Sequence, residues 1–377
     1  MNPALARLRF PVSQARGRRY PEPPHRYRNE FQRDRDRIVH ARAFRRLEDK
    51  TQVFTDPLSD HFRNRLTHTM EVAQIARTVA SVLELDQDLT EALALAHDLG
   101  HPPFAHAGEE ELNRQMARFG DRFDHNLHTL RVVERFEQRY ARFPGLNLTF
   151  EVREGIAKHS RDFEPGEFAE LDQYLPGLRP PLEAQLIDLA DEIAYNTADL
   201  DDGFSAGLFG VEEICREIPQ YGEIAGEIRT QFPGVPERIR FNETLRLLID
   251  RLVSGLIEGT WQAAEEAGVN SAGDVRRYGG RLAHQTPEPQ LATASLKRFL
   301  RGRVYFTQEL MAERARSAAM MAELFEWFLS DPGRLPEAYR EGLGSEPPHR
   351  LVCDYIAGMT DGFFRRTYHQ TRSGAPA

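Results

Sequence analysis

The segment LTEALALAHDL, residues 89–99, is apolar almost all round, and Gly100, His101, Pro102 and Pro103 follow it directly. A helix that is apolar on every face is stable only inside a larger assembly of elements, and the Gly-His-Pro-Pro run stops it. The chain must therefore surround this helix with others, and its last turn carries two polar residues, His97 and Asp98, inward. Strand-like alternation of Val, Ile, Thr and aromatic residues is short and rare, whereas helical spacing is common. From Leu66, residues His68, Val72, Ile75, Val79 and Val82 recur at helical steps, so His68 points inward. Between residues 182 and 193 the apolar positions 182, 186, 189 and 193 share one face, and Asp188, Asp191 and Tyr195 share a second. The expected fold is all-α.

The chain has 377 residues, more than one ordinary domain of about 100 to 200. We expect a basic, flexible N-terminal arm over 1–28, a helical core over 29–206, and a C-terminal helical region over 207–377 that completes the substrate site and makes oligomer contacts. The pattern breaks between about 203 and 240, where GFSAGLFG and FPGVPERIRF interrupt it. Further amphipathic stretches, RSAAMMAELFEWFLS and LVCDYIAGMTDGFFRRTYH, lie beyond it, and the tail TRSGAPA is expected to fray. No window reaches the roughly 18 apolar residues needed to span a bilayer, and the amino terminus lacks a secretory h-region. A cytoplasmic location is expected. Cys215 and Cys353 stand apart, so neither a disulfide framework nor a thiolate metal site follows from them.

A net charge of -9 argues against general coating by nucleic acid. The arm differs, with Arg7, Arg9, Arg16, Arg18, Arg19, Arg26 and Arg28 against one acid, Glu22. It could touch phosphates, single-stranded nucleic acid or a neighbouring subunit.

His68, His97, Asp98 and Asp191 bring two imidazoles and two carboxylates from three helices. That set suits one divalent ion, Mn²⁺, Mg²⁺, Fe²⁺, Zn²⁺, Ni²⁺ or Co²⁺, with positions left open for water and a phosphoryl oxygen. His106 and Glu109 stand at i and i+3 after a proline-started turn, where a carboxylate would orient the imidazole and favour its protonated form. His101 and His125 can donate to phosphoryl oxygens. Arg65 starts the His68 helix on the metal side. Arg63 and Lys50 read as a solvated basic face, and Arg46 is kept as a phosphate candidate.

The order His68, His97-Asp98, Asp191 resembles the signature of the HD-domain phosphohydrolases. The likeness extends to the deoxyguanosine triphosphate triphosphohydrolase (dGTPase) and dGTPase-like family through YRNEFQRDRDRIVHARAFRRLEDKTQVF, DHFRNRLTHTMEVAQIAR, ALAHDLGHPPFAHAGEE, FDHNLHTLRVVE and LADEIAYNTADLDDG, all between residues 27 and 203. A looser likeness returns in LKRFL and DYIAGMTDGF. The resemblance implies an HD-domain helical bundle with additional C-terminal helices. It implies hydrolysis of dGTP or several dNTPs to deoxynucleoside and inorganic triphosphate, His106 and Glu109 being catalytic. It further implies Arg65 on the phosphates, Asp199 on the sugar 3′-hydroxyl with Gln52 opposite, Tyr195 near the phosphates, a homo-oligomer and a dNTP effector. Ala198 stands where relatives often carry histidine. Two alternatives stay open: another HD-domain nucleotide phosphohydrolase, a 5′-monophosphatase or signalling-nucleotide phosphodiesterase, or a nucleotide- or single-strand-binding regulator.

Overall fold

The computed structural model describes residues 4–52 and 63–373. Residues 1–3 of the expected arm, 53–62, which hold the ends of two matched motifs, and 374–377 of the tail lie outside the described residues. In chain order the first helices are α1 (Glu30–Val39), α2 (Arg42–Arg46), α3 (Arg65–Val82), α4 (Gln87–Ala96), α5 (Ala105–Ala117), α6 (His125–Arg131), α7 (Phe150–Ala157) and α8 (Leu182–Ser205). There follow α9 (Val211–Glu217), α10 (Pro219–Gln231), α11 (Glu237–Glu266), α12 (Ala272–Arg277) and α13 (Pro287–Leu300). The last are α14 (Gln308–Ser330), α15 (Glu337–Arg340), α16 (Pro348–Ala357) and α17 (Asp361–Ser373). Among the described residues the only β pairing is isolated bridges, and no helix is long and apolar enough to cross a membrane. The all-α expectation holds.

Helix α4 is the buried element. It packs between α1, α3, α7 and α8, and the Asp86 side chain caps it by accepting from Leu89 N at 3.0 Å. It stops at Ala96 because Gly100 must pass under α6: a Cβ at Gly100 would lie 2.3 Å from Thr129 N and 2.4 Å from His125 O. Only glycine fits there. Helix α3 starts on the Asn64 cap, whose side chain accepts from Thr67 N at 2.9 Å, and buries His68, Val72, Ile75 and Val79 while Val82 is left exposed.

Three expectations are corrected. The N-terminal segment does not behave as a free arm over residues 4–28. Leu5, Leu8 and Phe10 enter the core, and Leu5 N donates to Leu83 O at 2.8 Å. Burying those side chains contributes roughly 1.5–3 kcal/mol each, too little alone against about 1–2 kcal/mol per ordered backbone residue. Ion pairs add to it: Arg7 with Glu265, Arg9 with Asp86, Arg18 with Glu30 and Asp34, Arg19 with Glu134, and Arg28 with Asp36. Composition reported the cations but not the carboxylates that meet them from distant segments. The expected break over 203–240 is two short gaps, with α9 and α10 between them. Residue 206 does not separate two cores: one cluster runs from Leu5 to Val304. A second joins Phe104, Leu112, Met116 and Phe123 to residues of α14, α16 and α17. The loop between α4 and α5 lies where the two cores meet.

Glu183 ties the N-terminal segment to α8. Its fully buried carboxylate accepts from Phe10 N at 2.8 Å and Asp86 N at 3.1 Å. Burial pushes it up to about 7, against the opposing pull of those two N–H groups. A carboxyl whose folded pKa is raised contributes stability below its unfolded value, about 4.3, which is lost as pH rises toward 7. Urea midpoints should therefore show Glu183→Gln gaining on the parent protein between pH 5 and pH 8. A difference independent of pH would refute this.

Candidate active site

Three helices converge on one buried point. His68 comes from α3, His97 and Asp98 from the end of α4, and Asp191 from the middle of α8; the first three are almost fully buried and Asp191 has a side chain 29% exposed. Ligand atoms of His68, His97 and Asp98 lie within 4.8 Å of one another. Asp191 Oδ1 is 2.9 Å from His68 Nε2 and 3.8 Å from His97 Nε2. His97 Nδ1 donates to Ala94 O at 2.6 Å, which fixes the tautomer and leaves Nε2 as a lone pair. That Nε2 is buried without a hydrogen-bond partner, 3.5 Å from Asp98 Oδ1. A bare nitrogen facing two carboxylates in a buried site fits a cation and little else.

The charges agree. Burial alone would raise Asp98, but His97, Arg65 and His101 hold it well below the usual carboxylate range. Burial likewise opposes ionisation of Asp191, and the His68 hydrogen bond reverses it. His97 is pushed down by burial, which keeps its ring neutral. The site thus offers anionic oxygens and a neutral imidazole.

Around this point the loop residues form a chain. Arg65 Nη1 donates to Asp98 Oδ2 at 2.8 Å, and His101 Nε2 lies 3.1 Å from Asp98 Oδ1. The His101 ring stacks on His125 at 3.9 Å between centroids. His125 in turn donates to Glu109 Oε1 from Nδ1 at 2.7 Å and from its backbone N at 3.1 Å. Here the expected His106–Glu109 pair is corrected. Their closest approach is 4.0 Å, because the Glu109 carboxylate is turned onto His125. His106 is consequently not raised: the protein packed around it and the charge of Arg65 lower it, although its side chain is 58% exposed.

On the other side, Asp199 continues the face of Asp191 because α8 runs on to Ser205. Burial pushes Asp199 up to about 7, and the Tyr305 hydroxyl donates to its Oδ2. Tyr305 also stacks on Tyr195, with centroids 5.9 Å apart. Gln52, Thr51, Phe104, His106 and Arg314 line one recess, and Gln52 Oε1 is buried without a partner. Ala198 is buried on α8.

Some candidates are placed elsewhere. Arg46 is exposed and donates to Gly358 O at 2.9 Å, so it is not brought to this cluster. Lys50 is buried rather than solvated, its Nζ donating to the carbonyls of His101 and Ala357, and Arg63 is bound by Glu71, Asp201 and Asp202. Two neighbours were missed. His159, just past α7, has its Nδ1 2.7 Å from Asp188 Oδ1, and its ring is 5.3 Å from that of His97. Asp188 on the acidic face was the available signal. Tyr305 lies just beyond LKRFL, where no periodicity marks it.

Two family models match the chain: the HD domain over residues 65–196 and the phosphohydrolase-associated domain over residues 283–370. A deoxyguanosinetriphosphate triphosphohydrolase-like protein of Ralstonia nicotianae is 47% identical over 353 residues, covering 93% of this chain and 90% of its own. Proteins of the same description from Azoarcus sp. and Geobacter sulfurreducens are 45% and 44% identical, covering 96% and 93% of this chain and 95% and 90% of their own. The buried His-Asp cluster thus lies inside the segment matched as an HD domain, and the chain belongs to the deoxyguanosinetriphosphate triphosphohydrolase-like family of HD-domain phosphohydrolases.

Proposed function

We propose that this chain hydrolyses a deoxynucleoside triphosphate to a deoxynucleoside and inorganic triphosphate, with dGTP, the nucleotide in its relatives' name, as the first candidate substrate. The observation that carries the reading is the orphaned Nε2 of His97 facing Asp98 and Asp191, next to the His101, His125, Glu109 array and the recess lined by His106 and Gln52. His68, His97, Asp98 and Asp191 would hold one divalent ion. Such an ion supplies charge neutralisation at the phosphoryl group and lowers the pKa of water.

The chain's own residues do the rest. His106, neutral at pH 7 because its pKa is lowered, accepts a proton from the water that attacks the α-phosphorus. As the bond from that phosphorus to the 5′ oxygen breaks, the same proton is available to the leaving oxygen. Glu109 holds His125 through two hydrogen bonds, and His125 stacks on His101, so the face toward the α-phosphate is fixed before substrate arrives. Asp199 and Gln52 offer hydrogen bonds to the sugar, with the stacked Tyr305 and Tyr195 beside Asp199.

The test is product analysis. Each dNTP, alone and in a mixture, is incubated with the protein and Mn²⁺ or Mg²⁺, and products are resolved by anion exchange. Deoxynucleoside with inorganic triphosphate is the expected result, and turnover only in the mixture identifies an effector. Release of inorganic phosphate from a deoxynucleoside monophosphate, with all four dNTPs intact, would replace this reading with a monophosphatase.

A further inference from the structure

The motif DYIAGMTDGF takes no part in the chemistry above, yet near its end it holds a carboxylate with three donors. Asp361, the first residue of α17, accepts from Phe104 N through Oδ1 at 3.1 Å, and from Thr51 N at 3.1 Å and the Thr51 hydroxyl through Oδ2. Those two partners belong to different chain segments, and both line the recess, Thr51 beside Gln52 and Phe104 two residues before His106.

The Phe104 side needs holding. Phe104 and Ala105 have φ of +64° and +52°, in the left-handed region that L side chains disfavour. Gly108 packs so closely on this turn that a Cβ there would lie 2.0 Å from the Pro103 carbonyl oxygen. Helix α17 supplies two more contacts. The Phe364 ring meets Phe104 edge-on at 4.9 Å, and the Arg365 guanidinium lies 4.9 Å over the Phe104 ring while pairing with Glu313 of α14. At the last residue of α16, a second tie runs from the Ala357 carbonyl through Lys50 Nζ to the His101 carbonyl.

We infer that Asp361 is a positioning residue: its two carboxylate oxygens clamp both walls of the substrate recess and thereby place His106 opposite Gln52. The inference rests on the reading that His106 transfers a proton in this recess. A carboxylate is required because both oxygens accept. Asparagine keeps the shape but turns an NH₂ group toward one of the donors.

The test uses the full-length, metal-loaded chain and Asp361→Asn, with Arg366→Ala on the exposed side of α17 as control. Amide hydrogen exchange at Thr51 and Phe104 should speed up in Asp361→Asn while exchange in α3 and α8 stays as in the parent protein. At saturating dNTP, kcat should fall on the order of 10²-fold with metal content unchanged, and Arg366→Ala should match the parent. Parental exchange at both amides in folded Asp361→Asn overturns the clamp, as does an unchanged kcat or loss of the metal together with activity. Should Asp361→Asn fail to fold, Thr51→Val, which removes one donor of the same clasp, carries the exchange measurement. If the parent chain hydrolyses no dNTP but the exchange result holds, the clamp stands and only the proposed reaction falls.

Discussion

Asp98→Ala is expected to retain no divalent ion and to turn over at least about 10³-fold more slowly than the parent, since the ion's several kcal/mol of charge stabilisation are lost. Asp98 touches three charged or chargeable neighbours, Arg65, His97 and His101. Removing it leaves the Arg65 guanidinium buried without its carboxylate, and breaking a buried pair from one side costs about 3–5 kcal/mol. The alanine variant should therefore also melt earlier. Asp98→Asn separates the two effects: an amide oxygen can still accept from Arg65, so most of the fold stability returns while metal content, read by elemental analysis, does not. Parental activity in either variant would remove the His-Asp cluster from the reaction.

His106→Ala should behave in the opposite way. Its side chain is 58% exposed, so stability should stay within about 0.5 kcal/mol, as for other surface changes. Metal content should be unchanged. The rate should fall about 10²- to 10⁴-fold, the usual contribution of a positioned proton-transfer group. The pH profile adds a sign that a packing role would not produce. Because its surroundings push His106 below the ordinary imidazole value of about 6.5, the neutral ring persists into mild acid. In the parent protein kcat should hold as pH drops past that value and then decline as the ring protonates. In His106→Ala the decline should vanish from the residual rate. A decline of the same shape in both would assign the proton step to another group.

Several features are legible in the residues alone. The 3.6-residue period placed His68 inside α3, and the all-apolar segment ending at Gly100 marked α4 as the buried helix. The Asp188, Asp191, Tyr195 spacing identified the polar face of α8, and its extension carried Asp199 along with it. Each is a local property, since rise and twist per residue decide which side chains share a face.

What the residues could not declare is which groups meet across segments. Glu109 lies three residues from His106 and sixteen from His125, yet it bonds the latter. Five of the seven arginines before residue 29 pair with carboxylates, one as distant as Glu265. Arg46 looked like a phosphate ligand and bonds Gly358 instead, while Tyr305 and Asp361 reach the site from helices far along the chain. The helices that carry His68, His97 and Asp191, most of their inward faces and the family signature follow from short-range periodicity and residue order. Only the tertiary structure decided the partners, because a hydrogen bond or ion pair of about 3 Å is selected by how whole helices pack, and no residue type or spacing encodes that choice.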